Sequence, residues 1–246
     1  MRLEDRYADR LIGTPRDLGF GIILATYARA WIDLNRREDE IDVAMLTEND
    51  RVRVAKQLLW SSDKVRGGLG LFPRRVAGGD LWQGKFSWED FAGRISSVYE
   101  AYHHALEKEL NQIQHTHGYA LLIDVHSMPP LGGHHPARIV LGDRRGGSAP
   151  PWLIDRMQAE AVLDGLAVAH NAPYAGGFIV ERHSRPHVRR FAVQIEVDRT
   201  LYLDDAGEPI SGACRSIGAL IGRMALGAEM AMADRFGGRD WLHAAE

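Results

Sequence analysis

The 246-residue sequence is 45% hydrophobic and 26% charged, which is enough apolar material for a full core, and no linker-like stretch divides it. Its formal net charge is −3 with acids and bases intermixed, so it lacks the basic stripe that a phosphate backbone selects and argues against a nucleic-acid partner. Cys214 is the single cysteine, which excludes a disulfide framework or a Cys-rich metal knuckle and suits a reducing cytoplasm.

The opening "MRLEDRYADRL" has no apolar segment of a secretory signal and reads as a short charged helix from Leu3 to Ile12. "GFGIILATY" and "RAWIDLNR" follow as strand-like apolar runs, and "VAMLTENDRVRVAKQLLW" reads as a helix. The stretch from Gly67 to Asp80 is rich enough in glycine to be a loop. Ser87 caps a long helix with Asp90 three residues on, a variant of the capping box. Along it Phe91, Ile95, Val98, Tyr102, Leu106 and Ile113 recur at helical spacing down to Gly118, the face expected to pack on a sheet. In "ALLIDV" Leu121, Ile123 and Val125 alternate with Leu122 and Asp124, so both faces are mostly apolar and the strand is expected to be central and parallel.

Pro150 and Pro151 open a helix through Leu163, and "GLAVAHN" resumes the strand pattern. "FAVQIEVDR" is the clearest strand: Phe191, Val193, Ile195 and Val197 face one way, and Gln194, Glu196 and Asp198 the other. An Ala- and Met-rich helix from Ser211 to Phe236 stops at Gly237 and Gly238. None of the apolar runs approaches the ~20 residues of a membrane span, so no membrane partner is expected. The alternation predicts one α/β domain over residues 1–246, a mixed, largely parallel sheet flanked by helices.

In such sheets ligands gather outside the carboxyl ends of the strands. His126 ends its strand there; a neutral imidazole can bind a divalent metal or transfer a proton, with Asp124 on the same face to orient the ring, or it can simply cap the strand. "WIDLNRRE" ends an apolar run at Asp33, with Asn35 and Arg36 next, an amide and a planar guanidinium suited either to gripping a carboxylate or to a surface ion pair. Glu196 stands mid-strand, where an ionised carboxylate needs a metal, a proton or a cation such as Arg199 or Arg36. Three such clusters at strand ends point together to a site.

The ordered segments "RAWIDLNR", "YHHAL", "LLIDVHSMPP", "IVLGDRRGGSAPP", "NAPYAGGFI" and "QIEVDRTLY" resemble the N-formylglutamate amidohydrolases across nearly the whole chain, and more remotely the zinc-carboxypeptidase and aspartoacylase group. The resemblance implies a zinc-carboxypeptidase-like (phosphorylase/hydrolase-like) fold and a metal-dependent hydrolysis of N-formyl-L-glutamate, or a related N-acyl acidic amino acid, in histidine breakdown. It implies His126 as a zinc ligand, Glu196 as general base and acid, and Asn35 with Arg36 as the grip on a substrate carboxylate. Because the small-molecule substrate carries two carboxylates, Arg29 and Arg199 join Arg36 as candidate cations, and Tyr174 as a hydrogen-bonding group.

The family carries an "HSG" strand with a metal-ligating histidine upstream of the stretch resembling "LEDRYADRL". The sequence opens at that stretch, so the expectation is either a start further upstream or a paralogue with a depleted metal site. Asp5, before Glu4 or Asp9, is the candidate to add a carboxylate ligand, although acids are also ordinary in a helix's first turn. The metal itself stays open, since histidine with carboxylate suits several divalent ions. The other functional readings are a non-catalytic ligand-binding paralogue and a zinc carboxypeptidase acting on peptides. His103, His104, His115 and His117 read as packed or solvated helix positions, and "GGHHP" as a loop. His183, where the family commonly has glycine, reads as drift or as a pocket substitution. Nothing in the sequence fixes the oligomeric state.

Overall fold

The computed structural model describes residues 3–54, 62–76, 79–134 and 136–237. In chain order its helices are α1 (Gly13–Asp17), α2 (Glu48–Val54), α3 (Asp63–Arg66), α4 (Trp88–Arg94), α5 (Glu100–His117), α6 (Pro151–Leu163), α7 (Phe178–His183) and α8 (Ala213–Phe236). Its strands are β1 (Arg75–Val76), β2 (Gly79–Asp80), β3 (Ala120–Met128), β4 (Ile139–Gly142), β5 (Val168–His170) and β6 (Arg190–Asp198). The chain divides into two compact units, residues 1–4 with 24–107 and residues 5–23 with 108–246.

The first unit carries a core of Ile32, Leu46, Val65, Leu71, Phe72, Phe91, Val98 and Tyr99, with the Phe72 and Phe91 rings stacked at 3.8 Å between centroids. Arg94 is buried with its guanidinium 3.6 Å from the Trp31 ring centroid and bonded to the Trp31 carbonyl at 3.2 Å. Burial lowers its pKa, Asp90 opposing, and the faces of Trp31 and Phe86 compensate the charge. The capping box at Ser87 and Asp90 forms as expected. Between α4 and α5 the helix passes through a π turn, Ile95–Tyr99, which inserts an extra residue into the repeat. The buried face therefore shifts: beyond Val98 it runs through Tyr99, His103, Leu106 and Leu110, while Tyr102 and Ile113 are only partly buried.

Two expected strands are absent. "RAWIDLNR" is a chain of turns: the Trp31 and Ile32 amides both point to the Ala28 carbonyl, the Arg36 amide bonds the Asp33 carbonyl, and the Asp33 carboxylate takes the Asn35 amide at 3.0 Å. The short side chain at Asp33 offers the backbone a local partner that outcompetes a ladder. "GFGIILATY" pairs with no strand among the described residues and exposes Leu24 and Tyr27. The segment read as a loop at 67–80 contains the small β1–β2 pair. Of the helix expected over 43–60, a 3-10 turn at Val43–Met45 and α2 are formed, and 55–60 lies outside the described residues.

The second unit is built on a four-stranded sheet in the order β3-β6-β4-β5, with β3 parallel to β6, β4 antiparallel to β6, and β5 parallel to β4. The architecture is mixed α/β, with a largely parallel sheet flanked by helices. The central strand is β6, buried along its whole length; β3 pairs parallel as expected but, among the described residues, lies at the sheet's edge and not at its centre, and its middle residues are accordingly only part-buried. Phe191, Val193, Ile195 and Val197 form the apolar face with Ile139 and Leu141, and pack with Leu153 and Met157 of α6 and Leu220, Ile221 and Met224 of α8. The helix expected from Leu3 is replaced by a 3-10 turn at Ala8–Ile12 that leads into α1, because Tyr7 takes the left-handed conformation at φ 59° and breaks any helix begun before it. Helix α6 keeps its expected bounds, and α8 begins at Ala213 after Gly212.

Candidate active site

The opposite face of the sheet is polar. In the β3–β6 register His126 lies beside Glu196 and Asp124 beside Gln194. Side chains in register on parallel strands project to the same side, so all four share one face. The alternation that buries Ile195 and Val197 against α6 and α8 places these groups here. His126, Gln194 and Glu196 are 7%, 5% and 8% exposed, so each needs partners within the protein.

The His126 ring meets a carboxylate at both nitrogens: Nε2 is 2.9 Å from Asp124 Oδ2 and Nδ1 is 2.9 Å from Asp5 Oδ2. Only an imidazolium donates from both nitrogens. Burial works against that charge, but the charge and hydrogen bond of Asp124, and then those of Asp5, outweigh it and raise the pKa well above 6.5. Asp5 is held in place from its other oxygen, which accepts from the Ser127 amide at 3.0 Å and the Ser127 hydroxyl at 3.1 Å. Tyr202, fully buried, donates to the Arg6 carbonyl at 3.0 Å and so fixes the chain next to Asp5.

Glu196 accepts from the Gln194 side-chain amide at 2.7 Å. The Gln194 carbonyl in turn accepts from the Gly177 amide at 2.7 Å, tying the segment of Tyr174 to Gly177 to the same face. That segment lies hard on the sheet at Gly142, the register partner of Gln194: a methyl group added to Gly142 would stand 2.6 Å from the Gly176 nitrogen. The Tyr174 phenol has its pKa raised, by burial first and then by Glu196 and Asp5, with Arg199 opposing. It is therefore a neutral hydrogen-bond donor near both carboxylates at physiological pH. Arg199 Nε is buried without a hydrogen-bond partner among the described residues.

The structure thus brings together His126, Asp5, Glu196, Tyr174 and Arg199, with Asp124, Ser127, Gln194 and Tyr202 as supports. Of these supports, the sequence marked only Asp124 for a role. Arg29, Asn35 and Arg36 belong to the first unit. There Arg36 donates to the Leu69 and Asn35 carbonyls, both at 2.8 Å, and Arg29 Nε lies 3.5 Å from Asp33 Oδ1. His103 is buried, with Nε2 3.1 Å from the Leu34 carbonyl, and is a packed residue as expected; His183 is also buried. His134 is exposed, and His135 lies outside the described residues.

A family model described as N-formylglutamate amidohydrolase matches residues 1–203. N-formylglutamate deformylases of Pseudomonas putida and Pseudomonas aeruginosa are 29% and 28% identical to the chain, covering 84% and 82% of it and 73% and 71% of their own lengths. The crystal structure of an N-formylglutamate amidohydrolase from Ralstonia eutropha JMP134 superposes with a TM-score of 0.82 at 29% identity, over 96% of this chain and 85% of that one. A gene product of Agrobacterium tumefaciens shares the fold at a TM-score of 0.57 and 17% identity, over 84% and 68% of the two chains. With the family model over residues 1–203 and the fold in agreement, the chain belongs to the N-formylglutamate amidohydrolase family.

Proposed function

We propose that the chain hydrolyses N-formyl-L-glutamate, or a closely related N-acyl acidic amino acid, to the carboxylic acid and the free amino acid. The observation that carries this reading is the register pairing of His126 with Glu196 on the polar face, with Asp5 closing on the His126 ring. Glu196 takes a proton from the attacking water and returns it to the leaving nitrogen. The neutral Tyr174 phenol donates a hydrogen bond to the oxygen on which negative charge develops. Arg199, part-buried, offers its guanidinium to a substrate carboxylate. From the resemblance alone, Arg29, Asn35 and Arg36 of the first unit are assigned to gripping a substrate carboxylate.

The donor set also fits a divalent ion in its chemistry. His126 Nδ1 and the Asp5 carboxylate converge, and Asp124 on Nε2 supplies the outer carboxylate that commonly orients a ligating histidine. These are two of the roughly three protein donors of a catalytic zinc, and no further His, Cys, Asp or Glu completes a group of three among the described residues. His126 Nδ1 and Asp5 are the residues we assign to hold the ion, in a fold of the zinc-carboxypeptidase-like type. When bound, such an ion lowers the pKa of water and polarises the formyl carbonyl.

The test is formate release from N-formyl-L-glutamate by the purified chain, with its metal content measured in the same preparation. Glu196→Gln should lower turnover by at least ~10²-fold while glutamate still binds. Unchanged turnover in that variant removes the assigned base. Ligand binding by the wild-type chain with neither metal nor turnover would instead identify a non-catalytic paralogue.

A further inference from the structure

We propose that Gln194 is a positioning residue: its amide sets the orientation of the Glu196 carboxylate and couples it to the segment that presents Tyr174. The inference rests on Glu196 acting as the base. A side-chain amide has two chemically different ends, and here neighbouring groups decide which end goes where. The Gly177 amide only donates, so the Gln194 oxygen must face it, as it does at 2.7 Å. The Gln194 nitrogen then faces Glu196, where an ionised carboxylate only accepts, at 2.7 Å. Both contacts are short, and both Gln194 and Glu196 are buried, so water does not compete for them.

Two consequences follow for the reaction. The bond to Glu196 Oε1 fixes the rotation of the carboxylate, so its two oxygens are not interchangeable and a proton is delivered along one direction. The bond to Gly177 makes that direction depend on the loop: Tyr174 stands three residues before Gly177, and Gly142, the register partner of Gln194, allows the backbone of Tyr174 to Gly176 to rest on the sheet. One amide thus sets the base against the hydrogen-bond donor. Gln194 acts through Glu196 and the Gly177 segment, so its loss should appear in the chemical step and not in substrate affinity.

The experiment measures kcat and KM for N-formyl-L-glutamate, together with glutamate affinity, in Gln194→Leu, Gln194→Glu and Glu196→Gln. Gln194→Leu removes both bonds. Gln194→Glu keeps an acceptor for the Gly177 amide, which guards against a loop that merely comes loose, and replaces the amide donor by a second carboxyl that shares a proton with Glu196, so its kcat is measured across pH. We expect both position-194 variants to lose about 10- to 100-fold in kcat, the scale of a small misalignment of reacting groups, with KM and glutamate affinity within about twofold of wild type. A kcat within twofold of wild type in either variant, or kcat lost only in step with glutamate affinity, overturns the assignment and leaves Gln194 a structural residue. Turnover that persists in Glu196→Gln instead identifies the base assignment as the failed premise.

Discussion

Gly142→Ala tests how tightly the site is assembled. The added methyl carbon would lie 2.6 Å from the Gly176 nitrogen, 2.7 Å from the Ala175 carbonyl carbon and 3.0 Å from the Tyr174 oxygen. Carbon contacts are comfortable from about 3.5 Å, so strand and loop must separate by roughly 1 Å, and none of the three backbone atoms can rotate aside. Overpacking of this kind costs about 1–3 kcal/mol, which in a chain of this size is roughly 2–12 °C of melting temperature at ~2–4 °C per kcal/mol. The same displacement moves Tyr174 and strains the Gly177–Gln194 bond, and a misplacement of about 1 Å near the chemistry can cost ~10²-fold in rate. The variant should therefore melt several degrees lower and lose activity well beyond any loss of folded protein, measured by calorimetry and formate release on the same sample. Gly93→Ala is the control: it sits in α4, and an added methyl meets nothing within 4 Å. It should melt at or slightly above wild type. Wild-type melting and turnover in Gly142→Ala would refute the close seating of the loop and its control of the site.

Two further perturbations address the charges. Arg199→Met keeps the aliphatic stem and removes the cation; if Arg199 binds a substrate carboxylate, KM for N-formyl-L-glutamate should rise about 10- to 100-fold, the ~1.5–3 kcal/mol of a charged hydrogen bond. An unaltered KM would exclude that contact. The second concerns His126, whose pKa is raised in the folded state above its unfolded value. A raised pKa gives stability that is fully present below the unfolded value of about 6.5 and is lost as pH rises through the folded value. Melting temperature in chelator should accordingly decline from about pH 6.5 upward, and Asp124→Asn, which removes the foremost attractive partner, should flatten the decline. Parallel pH profiles for the two proteins would contradict the paired-carboxylate account.

The fold was most legible where one periodicity governs a long segment. The two-residue alternation of "FAVQIEVDR" places β6 and both its faces, and the proline pair with the helical spacing behind it places α6. Legibility failed where local chemistry overrules the apolar count. Asp33 bends "WIDLNR" into turns through its own carboxylate, although Trp31, Ile32 and Leu34 alone suggest a strand. The π turn at Ile95–Tyr99 turns the buried face of the following helix from Tyr102 to Tyr99 and His103 while Leu106 keeps its place, which no 3.6-residue count anticipates. The edge position of β3 was hidden for a different reason: Leu121, Leu122, Ile123 and Val125 read the same at an edge as in the centre, and only pairing with other strands tells the two apart.

For the site, the sequence supplied the groups to which the proposed function gives chemistry and missed those that hold them. His126 and Glu196 stood out because a histidine and a carboxylate in apolar strands demand explanation singly. Gln194 did not, since a neutral amide on a strand is ordinary. Yet the physical signal was present in pairs: Asp124 with His126 on β3, and Gln194 with Glu196 on β6, each two residues apart and hence on one face. A single buried polar side chain can be satisfied by the backbone beside it, whereas two on the same face of a well-buried strand can satisfy one another only if their donor and acceptor characters match. Aspartate with histidine and glutamine with glutamate do match, and both pairs bond within their own strands, at 2.9 Å and 2.7 Å. Two such pairs then lie side by side, each tied further to Asp5 or Gly177 and each with its proposed reactive member nearer the carboxyl end of its strand. That arrangement lets the polar face of this sheet be buried, and on the proposed function it orients the groups before any substrate arrives.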